Sequence, residues 1–168
     1  MTVLIPKAPF QRIVEQHGAT VLRVCSAVVG PNDAQDAWSE TFLSALRAYP
    51  DLETGANVQA WLVRIAHRKA IDITRAHARA AVPVGEVPER ISTVGVPMSG
   101  RHELWADVAA LPDRQRMAVA YHYLAGLPYA DVAEILGGTA DAARRAAADG
   151  VKALRRNHSR TSETDEGQ

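Results

Sequence analysis

The chain has 168 residues, enough for one domain or two small ones, and its 47% apolar and 23% charged content is that of a soluble globular protein. Its single cysteine, Cys25, excludes an intramolecular disulfide, and its formal net charge of zero counts against a nucleic-acid binder unless the charge is unevenly spread. No apolar run approaches a membrane span and the start MTVLIPKAPF lacks a signal-peptide pattern, so no membrane insertion and a cytoplasmic location are expected.

The charge is uneven. Between Trp61 and Ala80 stand five basic residues (Arg64, Arg68, Lys69, Arg75, Arg79) against one acid, Asp72. Between Asp141 and Arg156 there are five against two. The acids gather between Asp33 and Glu53 and in the tail. Two basic stretches separated by neutral chain suit two contacts with a polyanion.

Residues 1–9 read as a loose arm. From Phe10 to Val29, apolar residues such as Ile13, Val14, Val21, Val24 and Cys25 recur at helical spacing, with a break expected at Gly18. Gly30-Pro31-Asn32 stops that helix, and Asn32 or Asp33 caps the next, DAQDAWSETFLSALRAY. There Ala34, Ala37, Trp38, Thr41, Ala45 and Tyr49 form an apolar band widened by Phe42, Leu43 and Leu46. Asp33, Asp36 and Glu40 make an acidic ridge, either a solvated face or a docking surface for a basic partner. Pro50 ends the helix, and residues 51–57 form a polar loop.

The next helix, from Val58 to about Arg79, places Leu62, Ile65, Ala66, Ala70 and Ile73 in one apolar sector. Arg64, Arg68, Arg75 and Arg79 fall on the far side within roughly 60° of one another on the helical wheel. Trp61 lies at the edge of that stripe. An exposed tryptophan beside guanidiniums suits a surface that neutralises phosphates and stacks on, or wedges between, bases. The alternative is a tryptophan tucked into the core beside arginines that only confer solubility.

Residues 81–100 hold three prolines and three glycines without a period and read as a flexible linker. Helical patterning resumes in HELWADVAA and leads into LPDRQRMAVAYHYLAGLPYADVAEILGGTADAARRAAADGVKALRR. Pro128 opens a short helix that stops at Gly137-Gly138, and a basic helix starts near Thr139 or Asp141 and runs to Arg156. That is the pattern of a helix-turn-helix whose second helix enters the DNA major groove. A plain three-helix bundle with solvated arginines accounts for the same segment. The expected fold is all-α: helical domains at residues 10–80 and 101–156, a linker at 81–100 and a disordered tail at 157–168.

No Gly-rich phosphate loop, Ser/His/Asp arrangement or Cys/His metal spacing occurs. His67 and His122 have no second ligand at a useful spacing and read as packed or solvated. No catalytic residue, metal or cofactor is expected, and the chain does not read as an enzyme.

In the order of its motifs the chain resembles an extracytoplasmic-function sigma factor of bacterial RNA polymerase, of the sigma-70 family. DAQDAWSETFLSALRAY resembles the family's acidic D-A-E-D-x-x-Q-E-x-F-L helix, and WLVRIAHRKAIDITR resembles W-L-x-x-I-A-R-N-x-x-x-D-x-x-R, both of region two. LPDRQRMAVAYHYLAGLPYADVAEILG resembles the opening of region four. The resemblance implies that Asp36, Glu40 and Leu43 dock on a coiled coil of the polymerase's largest subunit. It assigns Trp61 to opening the minus-ten element, with Arg64, Arg68, Lys69 and Arg75 on phosphates or bases. Asn57 closes the loop where the family captures a flipped base. Arg144, Arg145, Lys152 and Arg156 would contact the minus-thirty-five element. The linker permits an anti-sigma protein to clamp both domains.

Departures are local. Ser39 replaces a glutamine, Arg68 replaces an asparagine, and Ala146, Asp149 and Val151 stand at usual arginine positions of the last helix. Gly150 inside that helix costs on the order of 1 kcal/mol relative to alanine. The alternative function is a stand-alone helix-turn-helix regulator with an N-terminal helical sensor. A helical adaptor for an acidic protein is a further rival.

Overall fold

The computed structural model describes residues 7–80 and 99–165, and the segment expected to be a linker lies outside these except for its last two residues. Seven α-helices form among the described residues: α1 (Phe10–Val29), α2 (Ala34–Ala48), α3 (Val58–Ala80), α4 (Ser99–Ala110), α5 (Asp113–Val119), α6 (Tyr129–Leu136) and α7 (Ala140–Asp165). A 3-10 turn, Tyr49–Asp51, extends α2, and a π-helical turn, Ala120–Leu124, extends α5.

Helices α1, α2 and α3 pack pairwise around Ile13, Val21, Ala37, Phe42, Ala45, Leu62 and Ile65, all buried. Of the predicted apolar sector of α3, Leu62, Ile65, Ala66 and Ile73 pack in this core, whereas Ala70 joins the cluster between the two units. On α2 the expectation needs correction: Phe42 is buried, whereas Leu43 and Leu46 are 48% and 50% exposed. The wheel had merged two faces. Helix α1 runs unbroken through Gly18, whose carbonyl accepts Trp38 Nε1–H at 2.9 Å. Tertiary packing there outweighs the weak helix preference of glycine. Thr41 is fully buried and satisfies its hydroxyl by donating to the Ala37 carbonyl at 2.6 Å.

Helices α5, α6 and α7 form the second unit. Gly137, at φ +79°, ends α6 in a conformation that costs glycine little and turns the chain toward α7. The Thr139 hydroxyl caps α7 by accepting from Ala142 N–H at 3.1 Å. Gly150 lies where α7 crosses α5: a Cβ built there would sit 2.7 Å from Val119 Cγ2. The glycine therefore trades helix propensity for a close crossing. Helix α7 also runs past Arg156 to Asp165, with Asn157 donating to Asp107 at 3.3 Å. The stretch has no proline or glycine before Gly167 to stop a helix.

The two units share a packed interface. Ala60, Val63 and Ala70 of α3, with Val24, Ala27 and Val28 of α1, join one apolar cluster with Val108, Ala118, Tyr121, Leu127 and Val132. Tyr121 is the largest fully buried side chain, and its hydroxyl meets His67 Nδ1 at 2.7 Å. Helix α3 is thus buried along two faces, and its basic stripe is what remains between them.

Candidate nucleic-acid interface

The stripe on α3 begins at its N-terminus. Asn57 Oδ1 accepts from Ala60 N–H at 3.1 Å, and its carbonyl accepts from Trp61 N–H at 3.0 Å. Asn57 therefore spends its side-chain oxygen as the helix cap, one turn from Trp61. Trp61 is half-buried, not openly exposed: it leans on the α1–α3 core and lies 6.5 Å, centroid to centroid, from Tyr49. Arg68 and Arg75 are exposed, and Lys69 is half-buried.

Arg64 is engaged within the chain. Its guanidinium reaches Glu134 of α6 at 3.0 Å, with the two side chains 42% and 67% exposed. Such a solvated pair contributes about 0–1 kcal/mol, so a phosphate can displace the carboxylate. Gln59 donates to the Ala125 carbonyl, also across the interface. Burial, followed by the charge of Arg68, lowers the pKa of His67, which favours the neutral ring. Burial raises the pKa of Tyr121, which therefore stays protonated, so the two groups meet as a neutral pair. Below this contact a cleft of about 380 Å³ is lined by His67, Ile71, Arg75, Asp113, Arg114, Met117 and others.

The second basic surface is the outer face of α7. Ala143 and Ala147 are fully buried, which turns Arg145, Lys152 and Arg156 outward as the wheel predicts. Arg144 is exposed but held. It bonds Asp141 at 2.6 Å and lies 5.3 Å over the Tyr129 ring, and His122 stacks on that ring at 3.9 Å. Sequence reasoning missed this stack; His122 and Tyr129 are seven residues apart and meet only because the π-helical turn and Gly126 fold the chain back. His122 Nδ1 also meets the Leu127 carbonyl at 2.7 Å.

Of the expected acidic ridge, Asp36 and Glu40 stand on α2, while Asp33 precedes it and is half-buried. Asp36 and Glu40 are exposed beside Leu43 and Leu46, an acidic-apolar surface on one helix. Leu46 was missed as a surface residue, although its i+3 spacing from Leu43 was available. Asp33 makes no side-chain cap bond and instead accepts from His77 Nε2 at 3.1 Å. Burial pushes the Cys25 thiol up to about 12, so it is an unreactive packing group. Among the described residues no helix is long and apolar enough to cross a membrane.

An acidic-apolar helix and two basic helices, one with a tryptophan and one in a helix-turn-helix, find counterparts among known proteins. Residues 13–80 match the family described as Sigma-70 region 2, and residues 101–154 match Sigma-70, region 4. The chain is 31% identical over 137 residues to the ECF RNA polymerase sigma factor BldN of Streptomyces coelicolor, covering 76% of this chain and 52% of BldN. It thus spans about half the length of that relative. It is 24% identical over 162 residues to the ECF RNA polymerase sigma factor SigK of a Mycobacterium species, covering 86% of this chain and 84% of SigK. In fold it is similar to the sigma factor RpoE of Bartonella quintana, solved with the anti-sigma factor NepR: TM-score 0.74, 18% identity, 89% of this chain and 96% of that one. It is also similar to CnrH, solved with the cytosolic domain of CnrY: TM-score 0.62, 20% identity, 95% of this chain and 89% of that one. With both regions matched in order and the same fold present, the chain belongs to the extracytoplasmic-function group of the sigma-70 family.

Proposed function

We propose that this chain is a promoter-specificity subunit that binds core RNA polymerase, opens the minus-ten element and reads the minus-thirty-five element. Nucleotidyl transfer belongs to the polymerase. This chain contributes binding, and such a subunit works in the cytoplasm.

The acidic-apolar ridge of α2, with Asp36, Glu40, Leu43 and Leu46, docks on the coiled coil of the largest polymerase subunit. Leu43 and Leu46 supply apolar area and the carboxylates supply register and charge complementarity. On α3, Arg64, Arg68, Lys69 and Arg75 hold phosphates while Trp61 stacks on, or wedges beside, a minus-ten base. Asn57 anchors the loop that receives the flipped base. On α7, Arg145, Lys152 and Arg156 line the outer contact, with Arg144 fixed by Asp141 and Tyr129. An anti-sigma protein is a second proposed partner, as in the RpoE–NepR complex.

Reaching both elements requires the interface between the units to open. The elements lie about 25 base pairs apart, roughly 85 Å at 3.4 Å per base pair. Helix α3 packs against α6 and α6 packs against α7, and α3 itself, at 23 residues, is only about 35 Å long. Promoter binding therefore breaks Arg64–Glu134, Gln59–Ala125 and His67–Tyr121.

The observation that carries this reading is the presence of both sigma regions in order, each presenting its own basic helix face. DNase I footprinting with and without core polymerase tests it. Protection that requires polymerase agrees with it, whereas protection by the chain alone assigns it to a stand-alone regulator.

A further inference from the structure

Residues 7–9 are docked, within the stretch expected to be a loose arm. The Lys7 ammonium donates to the carbonyls of Pro50 and Leu52, at 3.2 and 2.6 Å, and to that of Tyr49. These carbonyls belong to the 3-10 turn that ends α2 and the residue just beyond it. Backbone acceptors at a helix end carry partial negative charge, and of these three only the Tyr49 carbonyl also takes a backbone bond, from Leu52 N–H at 3.2 Å, among the backbone bonds outside the helices. An ammonium has three protons, and here three carbonyls take them.

Tyr49 returns the connection. Its hydroxyl donates to the Ala8 carbonyl, its ring lies 4.7 Å from Lys7 Nζ, and Phe10 meets it edge-on at 5.3 Å. Its other neighbour is Trp61. A continuous path therefore runs from Lys7 through Tyr49 to Trp61, and from Lys7 through Leu52 into the loop that Asn57 closes.

We propose that Lys7 and Tyr49 are positioning residues that fix the 51–57 loop and the Trp61 ring in the arrangement that captures the unstacked minus-ten base. This rests on the promoter-opening role proposed above. Lys7 acts through the loop and not on DNA, because its donors are already spent on carbonyls.

The test uses holoenzyme assembled from core polymerase and the full chain, with a 2-aminopurine at the minus-ten base reporting unstacking. Lys7→Met lowers the unstacking signal roughly tenfold, the scale on which small misplacements act. Tyr49→Phe lowers it less, and the double variant loses less than the product of the two, since both act through one path. Affinity for core polymerase, the unfolding midpoint and the salt slope of promoter binding stay at the parent values. An unchanged unstacking signal in Lys7→Met overturns the proposal. So does a salt slope reduced by about one, which makes Lys7 a phosphate contact. Loss of core affinity or of the unfolding midpoint in both variants also overturns it, leaving only a structural role. Trp61→Ala serves as the control: if it does not lower the signal, the promoter-opening role itself fails, whatever Lys7 does.

Discussion

Helices α3 and α7 each carry a basic stripe, and the stretches 61–80 and 141–156 each hold five cationic residues, yet the molecule holds the two stripes differently. The α3 stripe is a strip between two buried faces, with Trp61 half-sunk on one side and Arg64 tied to Glu134 on the other. On α7 the buried face carries Ala143 and Ala147, Arg144 is held by Asp141 and Tyr129, and Arg145, Lys152 and Arg156 are exposed. On the reading proposed above, the α3 stripe becomes fully accessible only when the interface between the units opens, and Trp61 then stays held by its own core. An open surface presents a face that a groove can accept whole. Equal numbers of cations in the sequence thus become unequal engagement in the fold.

That contrast can be broken in four places, beginning with the largest effect. Asp36→Arg with Glu40→Arg reverses the α2 ridge while leaving both stripes intact. Co-purification with core polymerase is expected to disappear, because like charges at a docking surface cost several kcal/mol; undiminished pull-down refutes the docking assignment. Trp61→Ala should leave core binding unchanged but reduce permanganate reactivity of the minus-ten thymines by roughly 10- to 100-fold, a base–aromatic stack being worth about 1–3 kcal/mol. Normal reactivity would remove Trp61 from the opening step.

Gly150→Ala separates packing from helix propensity. The new Cβ would meet Val119 Cγ2 at 2.7 Å, so overpacking should destabilise the chain by about 1–3 kcal/mol in denaturant unfolding. A gain of about 1 kcal/mol would mean that propensity wins and that the α5–α7 crossing yields. The smallest expected effect distinguishes neighbours on α7. Arg145→Ala should weaken minus-thirty-five protection by about 1 kcal/mol or more, and Arg144→Ala by less, since its guanidinium is already shared with Asp141 and Tyr129. Equal losses would show that this sharing ends on DNA.

Much of this was legible in the sequence because it depends on local periodicity. The core sector of α3, the inward alanines of α7 and the acidic ridge of α2 follow from spacing alone. What spacing hides is contact between distant segments. Ala60, Val63, His67 and Ala70 form an i, i+3, i+7, i+10 row on α3, but small residues around a histidine read as neutral until Tyr121 arrives to bury them. Lys7 in a proline-flanked arm carries no helical signal, and its partners lie more than forty residues away. Gly150 reads as a defect until the crossing helix is in place. Arg64 had the right face, but nothing local announced Glu134 as its partner.

On the proposed reading this chain confers promoter selection on polymerase. Run-off transcription with purified core polymerase, the full chain and a fragmented genomic library tests it most directly. Discrete transcripts are expected that start at a common upstream pattern and vanish when the chain is omitted or carries Asp36→Arg with Glu40→Arg. No chain-dependent transcript, together with binding to DNA in the absence of polymerase, would contradict it.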